Sequence, residues 1–108
     1  MGKTKVTFNV ERLQYSVDVL YALAHPLRLR ILEYIDKHGE INVNRIYRAL
    51  GLEQSITSQH LKVLRMAGIV HAKRDGKYIL YRLDYPILER TEKAIGNFIS
   101  LENQRVAV

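Results

Sequence analysis

Apolar residues at Val10, Leu13, Val17, Leu20, Tyr21 and Ala24 recur at helical spacing, and Asn9 just ahead of them suits an N-cap. They predict a first helix. His25-Pro26 interrupts it. Proline in a first turn then opens a second helix, because its missing N–H has no intrahelical partner to lose there. Leu27, Ile31, Tyr34 and Ile35 form the inner stripe of that helix, and Gly39 ends it. A short third helix has Asn42 as its cap and Val43, Ile46, Tyr47 and Leu50 facing inward, and Gly51 stops it. A fourth starts near Gln54, with Ile56, Leu61, Leu64 and Ala67 inward and Gly68 at its end.

The period then changes. Ile69 to Arg74 and Lys77 to Leu83 are short runs rich in branched and aromatic residues, which predict strands. Asp75-Gly76 between them is a two-residue hairpin signal. Asp84 caps a last helix with Pro86 in its first turn and Leu88, Thr91, Ile95, Phe98 and Ile99 along one side. Residues 1–8 show no periodicity and read as a flexible arm carrying Lys3 and Lys5; residues 103–108 read as a frayed tail. Between them, residues 9–102 form one domain. It is mainly α with a β-hairpin wing, in the order α-α-α-α-β-β-α. The third helix, the turn Gly51 to Glu53 and the fourth helix make a helix-turn-helix.

Composition narrows what such a domain does. A chain of 108 residues holds one domain, and 47% hydrophobic with 26% charged residues is an ordinary globular balance. No apolar run reaches the ~20 residues of a membrane span, and no charged-then-apolar segment opens the chain, so a cytoplasmic protein with no membrane partner is expected. With no cysteine, disulfides, thiolate metal sites, cysteine nucleophiles and thiol redox sensing are excluded. Net charge is +6. Between Gln54 and Leu83 the basic residues Lys62, Arg65, Lys73, Arg74, Lys77 and Arg82 face a single acid, Asp75. Charge concentrated in this way points to a polyanionic partner.

On the fourth helix, Ser55, Ser58, Gln59 and Lys62 point outward, with Gln54 at its entry. Hydroxyl and amide groups suit base edges in a major groove, and glutamine grips adenine through two hydrogen bonds. The open helix N-terminus also favours a nearby phosphate. On the hairpin, Lys73, Arg74 and Lys77 gather at the tip with Tyr78, where long cations reach phosphates or a minor groove. Arg82 could instead pair with an acid near Asp84. The plain alternative for both features is a solvated face. Three readings stay open on these residues: a sequence-specific binder of double-stranded DNA, a winged-helix module for an acidic protein partner, and a sequence-blind architectural DNA binder. The amides favour the first over the third.

The histidines have structural readings. His25 lies at a helix junction, His38 suits a helix C-terminus, His60 lies near the inner face of the fourth helix, and His71 starts the wing. No two form an i, i+4 ligand pair. No metal site, cofactor or catalytic residue is assigned: there is no glycine-rich phosphate loop and no nucleophile motif.

Three segments resemble the arsenic-repressor (ArsR/SmtB) family of winged helix-turn-helix regulators. They are Ala24-His25-Pro26-Leu27-Arg28-Leu29-Arg30-Ile31-Leu32, the run from Leu52 through Gln59-His60-Leu61-Lys62 to Gly68-Ile69-Val70, and the wing from Lys73 to Leu83. The likeness extends over about residues 10–101. It implies a homodimeric repressor of bacteria or archaea that binds an inverted-repeat operator and releases it when an effector binds. It also implies that Gln54, Ser55, Ser58 and Gln59 contact the major groove and that Lys73, Arg74 and Lys77 serve in the wing. Two departures set this chain apart from the family's metal sensors. Asn42 and Asn44 stand where its arsenic and cadmium sensors carry cysteines, and an amide does not replace a thiolate toward soft metals. Its zinc sensors use Asp and His on the last helix, but from Asp84 to Val108 there is no histidine, and Asp84, Glu89 and Glu92 make a poor zinc site. Any effector is therefore unknown.

Val10, Leu13, Val17 and Leu20 on the first helix and Leu88, Ile95, Phe98 and Ile99 on the last exceed the needs of a small core. They are assigned to a homodimer interface; the alternative is that they complete one monomer's core.

Overall fold

The computed structural model describes residues 10–106, with side chains described for residues 10–11 and 14–96. Five helices and three strands follow in the order α1 Val10–Leu23, α2 Pro26–His38, β1 Glu40–Asn42, α3 Val43–Leu50, α4 Gln54–Met66, β2 Val70–Asp75, β3 Tyr78–Leu83 and α5 Tyr85–Val106. The arm at residues 1–8 and the cap at Asn9 fall outside the described residues. The last helix runs on through Val106, past Asn103, and Gln104 and Arg105 are good helix formers. None of the described helices is long and apolar enough to cross a membrane.

Local chemistry sets the helix ends. The His25 imidazole caps α2: its Nδ1 accepts from the Leu27 N–H at 3.1 Å, and Pro26 occupies the first turn. Asn42 caps α3, its Oδ1 accepting from the Arg45 N–H at 3.0 Å. Gly51 closes α3 in the left-handed conformation, φ 67° and ψ 35°, which costs glycine little and other residues more. That turn aims the chain into α4.

The sheet has one strand more than the hairpin. β1 pairs antiparallel with β3 through Ile41↔Tyr81, giving the order β1-β3-β2. Three residues leave too short a pattern to read as a strand, yet the pairing anchors the base of the wing. In the hairpin, Asp75 pairs with Tyr78, so the loop is Gly76-Lys77 and not Asp75-Gly76. Gly76 at φ 61° followed by a residue of negative φ has the sign pattern of a type II′ turn.

The core is Val19 and Ala22 of α1, Ile31, Leu32 and Ile35 of α2, Ile41, Ile46, Leu61 and Leu64, and Ala67, Ile69, Val70 and Leu83. Two inner positions differ from the sequence expectation. On α4, Thr57 is fully buried while Ile56 is 39% exposed. Threonine is tolerated there because its Oγ1 donates to the Glu53 carbonyl at 2.9 Å. On α2, Arg28 joins Ile31, Leu32 and Ile35 inside, at 5% exposure. On α1 the core takes Val19 and Ala22, so Val10, Val17, Leu20 and Tyr21 face outward.

Candidate nucleic-acid interface

Leu61 and Leu64 hold α4 against the core, together with Thr57. This fixes the rotation of the helix about its axis. Gln54, Ser55, Ser58, Gln59 and Lys62 are all exposed as a result, and positions 55, 58, 59 and 62 line one stripe at i, i+3, i+4 and i+7 spacing. Glu53 at the N-cap makes no side-chain cap bond, so the first-turn N–H groups of α4 are open to an anion. The stripe thus offers neutral hydrogen-bonding groups at its centre and a cation, Lys62, at its far end.

The structure arranges the wing residues in two sets. Strand alternation puts Lys73, opposite Leu80, on one face of the hairpin and Arg74, opposite Ile79, on the other. Arg74 folds toward the turn, its Nε donating to the Gly76 carbonyl at 3.3 Å. Lys77 and Tyr78 do come together: the ammonium lies 5.3 Å from the ring centroid. All four are exposed. Arg82 makes no ion pair among the described residues, because His71 takes the Asp84 carboxylate at 2.8 Å.

Sequence reasoning passed over Arg45 and Arg48 on α3. Both are exposed, and neither forms an ion pair among the described residues. The first helix of a helix-turn-helix crosses the phosphate backbone, which gives such residues a use. The signal was available: from Val43 to Gly51 every charged residue is basic.

The Tyr85 hydroxyl donates to Asp36 at 2.6 Å, which raises the Tyr85 pKa. Desolvation holds the His60 pKa below its ordinary value, and the nearby His25 and Arg28 push it the same way. The hydrogen bond from His71, followed by the Ile87 N–H, holds the Asp84 carboxyl below the usual range. The other two histidines serve local structure: His25 caps α2, and the His38 Nδ1–H donates to the Tyr34 carbonyl at 2.9 Å. Among the described residues, no three His, Asp or Glu side chains are grouped to hold a metal ion.

An exposed polar helix of a helix-turn-helix, followed by a basic wing on a three-stranded sheet, defines a winged helix-turn-helix protein. Residues 25–72 match the model of the family described as bacterial regulatory protein, arsR family. An HTH-type transcriptional regulator of Mycobacterium tuberculosis is 39% identical over 90 residues, spanning 80% of this chain and 76% of the relative. The transcriptional repressor PagR of Bacillus anthracis is 36% identical over 84 residues, 78% of this chain and 84% of PagR. The PagR crystal structure aligns with a TM-score of 0.68 at 33% identity, over 81% of this chain and 99% of that one. A homodimeric winged helix-turn-helix DNA-binding domain from Mycobacterium bovis aligns with a TM-score of 0.72 at 26% identity, over 94% of each chain. This chain belongs to the arsR family of transcriptional regulators.

Proposed function

We propose that this protein is a sequence-specific repressor that binds double-stranded DNA as a homodimer at an inverted-repeat operator, in the cytoplasm and without enzymatic activity. The observation that carries the reading is the α4 stripe of Gln54, Ser55, Ser58, Gln59 and Lys62, exposed on a helix whose opposite face is fully anchored. Gln54, Ser55, Ser58, Gln59 and Lys62 face the major groove, with Ser58 and Gln59 reading bases. Lys73, Arg74, Lys77 and Tyr78 serve in the wing, and Arg45 and Arg48 on the neighbouring phosphates.

Support for the dimer comes from α1 and α5. Val10, Val17, Leu20 and Ile95 are 73%, 56%, 44% and 41% exposed, so they are not spent on the monomer's own core. Leu88, assigned to the same interface, is half-buried against the core of its own chain. The side chains of Leu13, Phe98 and Ile99, assigned to the same interface, lie outside the described residues. A two-fold axis through this face would set the two α4 helices in successive major grooves, ~34 Å apart.

Selection of bound duplexes from a random pool at near-physiological salt tests the proposal. The expected result is enrichment of an imperfect palindrome with half-sites one helical turn apart. Recovery of DNA with no shared sequence indicates a sequence-blind binder, and recovery of none indicates an acidic protein partner.

A further inference from the structure

The least expected residue of the core is Arg28. The residue is 5% exposed and forms no ion pair among the described residues. Its charge is met by the C-terminal end of α1: Nε donates to the Ala22 carbonyl at 2.7 Å and one terminal nitrogen to the Tyr21 carbonyl at 2.9 Å. Both carbonyls lie in the last turn of α1, at the negative end of the helix dipole, and the Tyr21 carbonyl also accepts from the Ala24 N–H at 3.2 Å. The Tyr21 ring lies 5.2 Å from the guanidinium carbon. The remaining terminal nitrogen approaches Nδ1 of His60, on α4, at 3.4 Å. A single buried cation thus joins the end of α1 to the helix that carries Ser58 and Gln59.

That last contact is sensitive to protonation. Arginine has only donors, so this contact is a hydrogen bond when His60 Nδ1 accepts, which requires a neutral ring with the hydrogen on Nε2. His25 lies beside it: its Nδ1 accepts from the Leu27 N–H, and its ring lies 4.7 Å from that of His60. A proton added to the His60 ring lands on the nitrogen already in use. On His60 it would place two cations within hydrogen-bonding distance. The titratable and charged groups facing His60 are His25 from the α1–α2 junction and Arg28 from α2, with Tyr21 of α1 against the far side of Arg28. None of them favours an imidazolium.

We propose that Arg28 and His60 are a positioning pair for operator recognition, and that protonating His60 breaks the pair, frees α4 from α1 and weakens operator binding. The inference rests on the proposed role of α4 in reading DNA. It predicts a sign opposite to the usual one. A basic DNA binder whose histidines gain charge on acidification binds phosphates more tightly. This protein instead loses affinity as pH falls below the ordinary histidine range. His60 stays neutral above that range because burial and its two neighbours depress its pKa.

The test is a pair of measurements on the full chain at about pH 7.5 and about pH 5.5. Binding to the selected operator is measured for the wild type, His60→Asn and His60→Gln, with circular dichroism checking that each stays folded. Asparagine carries an oxygen at the δ position that accepts from Arg28 and does not titrate; glutamine covers the case in which the shorter side chain disturbs α4. In parallel, the His60 ring and the α4 amides are titrated by NMR in the DNA-free protein. We expect the wild type to lose about tenfold in affinity at the lower pH, and at least one neutral variant to stay within about twofold of its own affinity at the higher pH. The α4 amide shifts should titrate with the His60 ring in the wild type and be flat in the variant. Wild-type binding that is equal or tighter in acid overturns the proposal, as does a parallel loss in both variants. If no duplex binds at any pH, the DNA-reading role of α4 falls. The pair itself is then decided by the ring titration: a His60 pKa at or above the ordinary histidine value, or α4 amides that ignore it, overturns it.

Discussion

His71 and Asp84 meet at 2.8 Å, Nε2 to Oδ2, where the wing joins the last helix. The other oxygen of the same carboxylate accepts the Ile87 N–H at 3.0 Å and so caps α5, while the Asp84 N–H donates to the Ile69 carbonyl at 2.8 Å. One side chain therefore ties the base of β2 to the start of α5. Replacing Asp84 with alanine removes the cap and the partner of His71 together. A lost N-cap costs about 1 kcal/mol, which in a domain of this size lowers the melting temperature by about 4–8 °C. The pH dependence has a definite sign. The Asp84 carboxyl has a depressed pKa, with the His71 hydrogen bond as the first cause. Its contribution is complete above about pH 4 and is lost as pH falls through the depressed value. Melting curves of wild type and Asp84→Ala are expected to converge at the acid end. A constant gap at all pH would show that the carboxylate's charge is not what holds the junction.

Gln59 is the residue at which specific and general affinity are expected to part. It sits mid-stripe on α4 and carries no charge, so its removal leaves the phosphate contacts intact. Gln59→Ala is expected to cost ~1–3 kcal/mol on the operator and almost nothing on random DNA. Fluorescence anisotropy with both duplexes at one salt concentration measures the difference. Equal losses on both would remove Gln59 from base reading.

What the chain reveals by itself divides along the range of the interactions. The caps at Asn42 and Gly51 are legible because the groups involved lie within a few residues of each other. The exposure of Ser58 and Gln59 is legible because helical spacing against Leu61 and Leu64 demands it. β1 is not, since Ile41 becomes a strand residue only by meeting Tyr81. Nor is the choice of Thr57 over Ile56 for the core: the two are neighbours on the helix, and a backbone acceptor for the hydroxyl decides between them. Arg28 shares the i, i+3, i+4 face of Ile31 and Leu32, but nothing local says that α1 will supply carbonyls and α4 an imidazole. The wing cations read as one cluster in the sequence, yet strand alternation sends Lys73 and Arg74 to opposite faces.

That division of the wing bears on affinity. Lys77 at the turn, stacked with Tyr78, is the wing cation that projects furthest along the hairpin. Lys77→Ala is expected to weaken operator and random DNA alike, and to make the salt slope shallower by about one unit per cation removed. In a dimer, the three wing cations of each subunit are together expected to contribute about −5 to the slope of log K against log salt. Titrations at several salt concentrations give the slope directly. A Lys77 variant with an unchanged slope would place that side chain off the DNA.

The proposed dimer interface on the outward face of α1 is open to a direct test. Leu20 is 44% exposed and Val17, three residues earlier on the same side, is 56% exposed, while Val19 and Ala22 hold the helix to its own core. A charge at Leu20 therefore spares the fold and penalises only a partner's surface. Burying an unpaired carboxylate costs several kcal/mol, more than a small two-helix interface can absorb. Leu20→Glu is expected to convert a dimer into a folded monomer of 12.6 kDa in sedimentation at micromolar concentration. Its melting temperature should then no longer depend on protein concentration, whereas that of the wild type should rise with it. The same variant tests the link to DNA: a monomer presents one α4, so its affinity for a full palindrome is expected to fall to that for a half-site. A Leu20→Glu protein that still sediments as a dimer would move the interface off this face of α1.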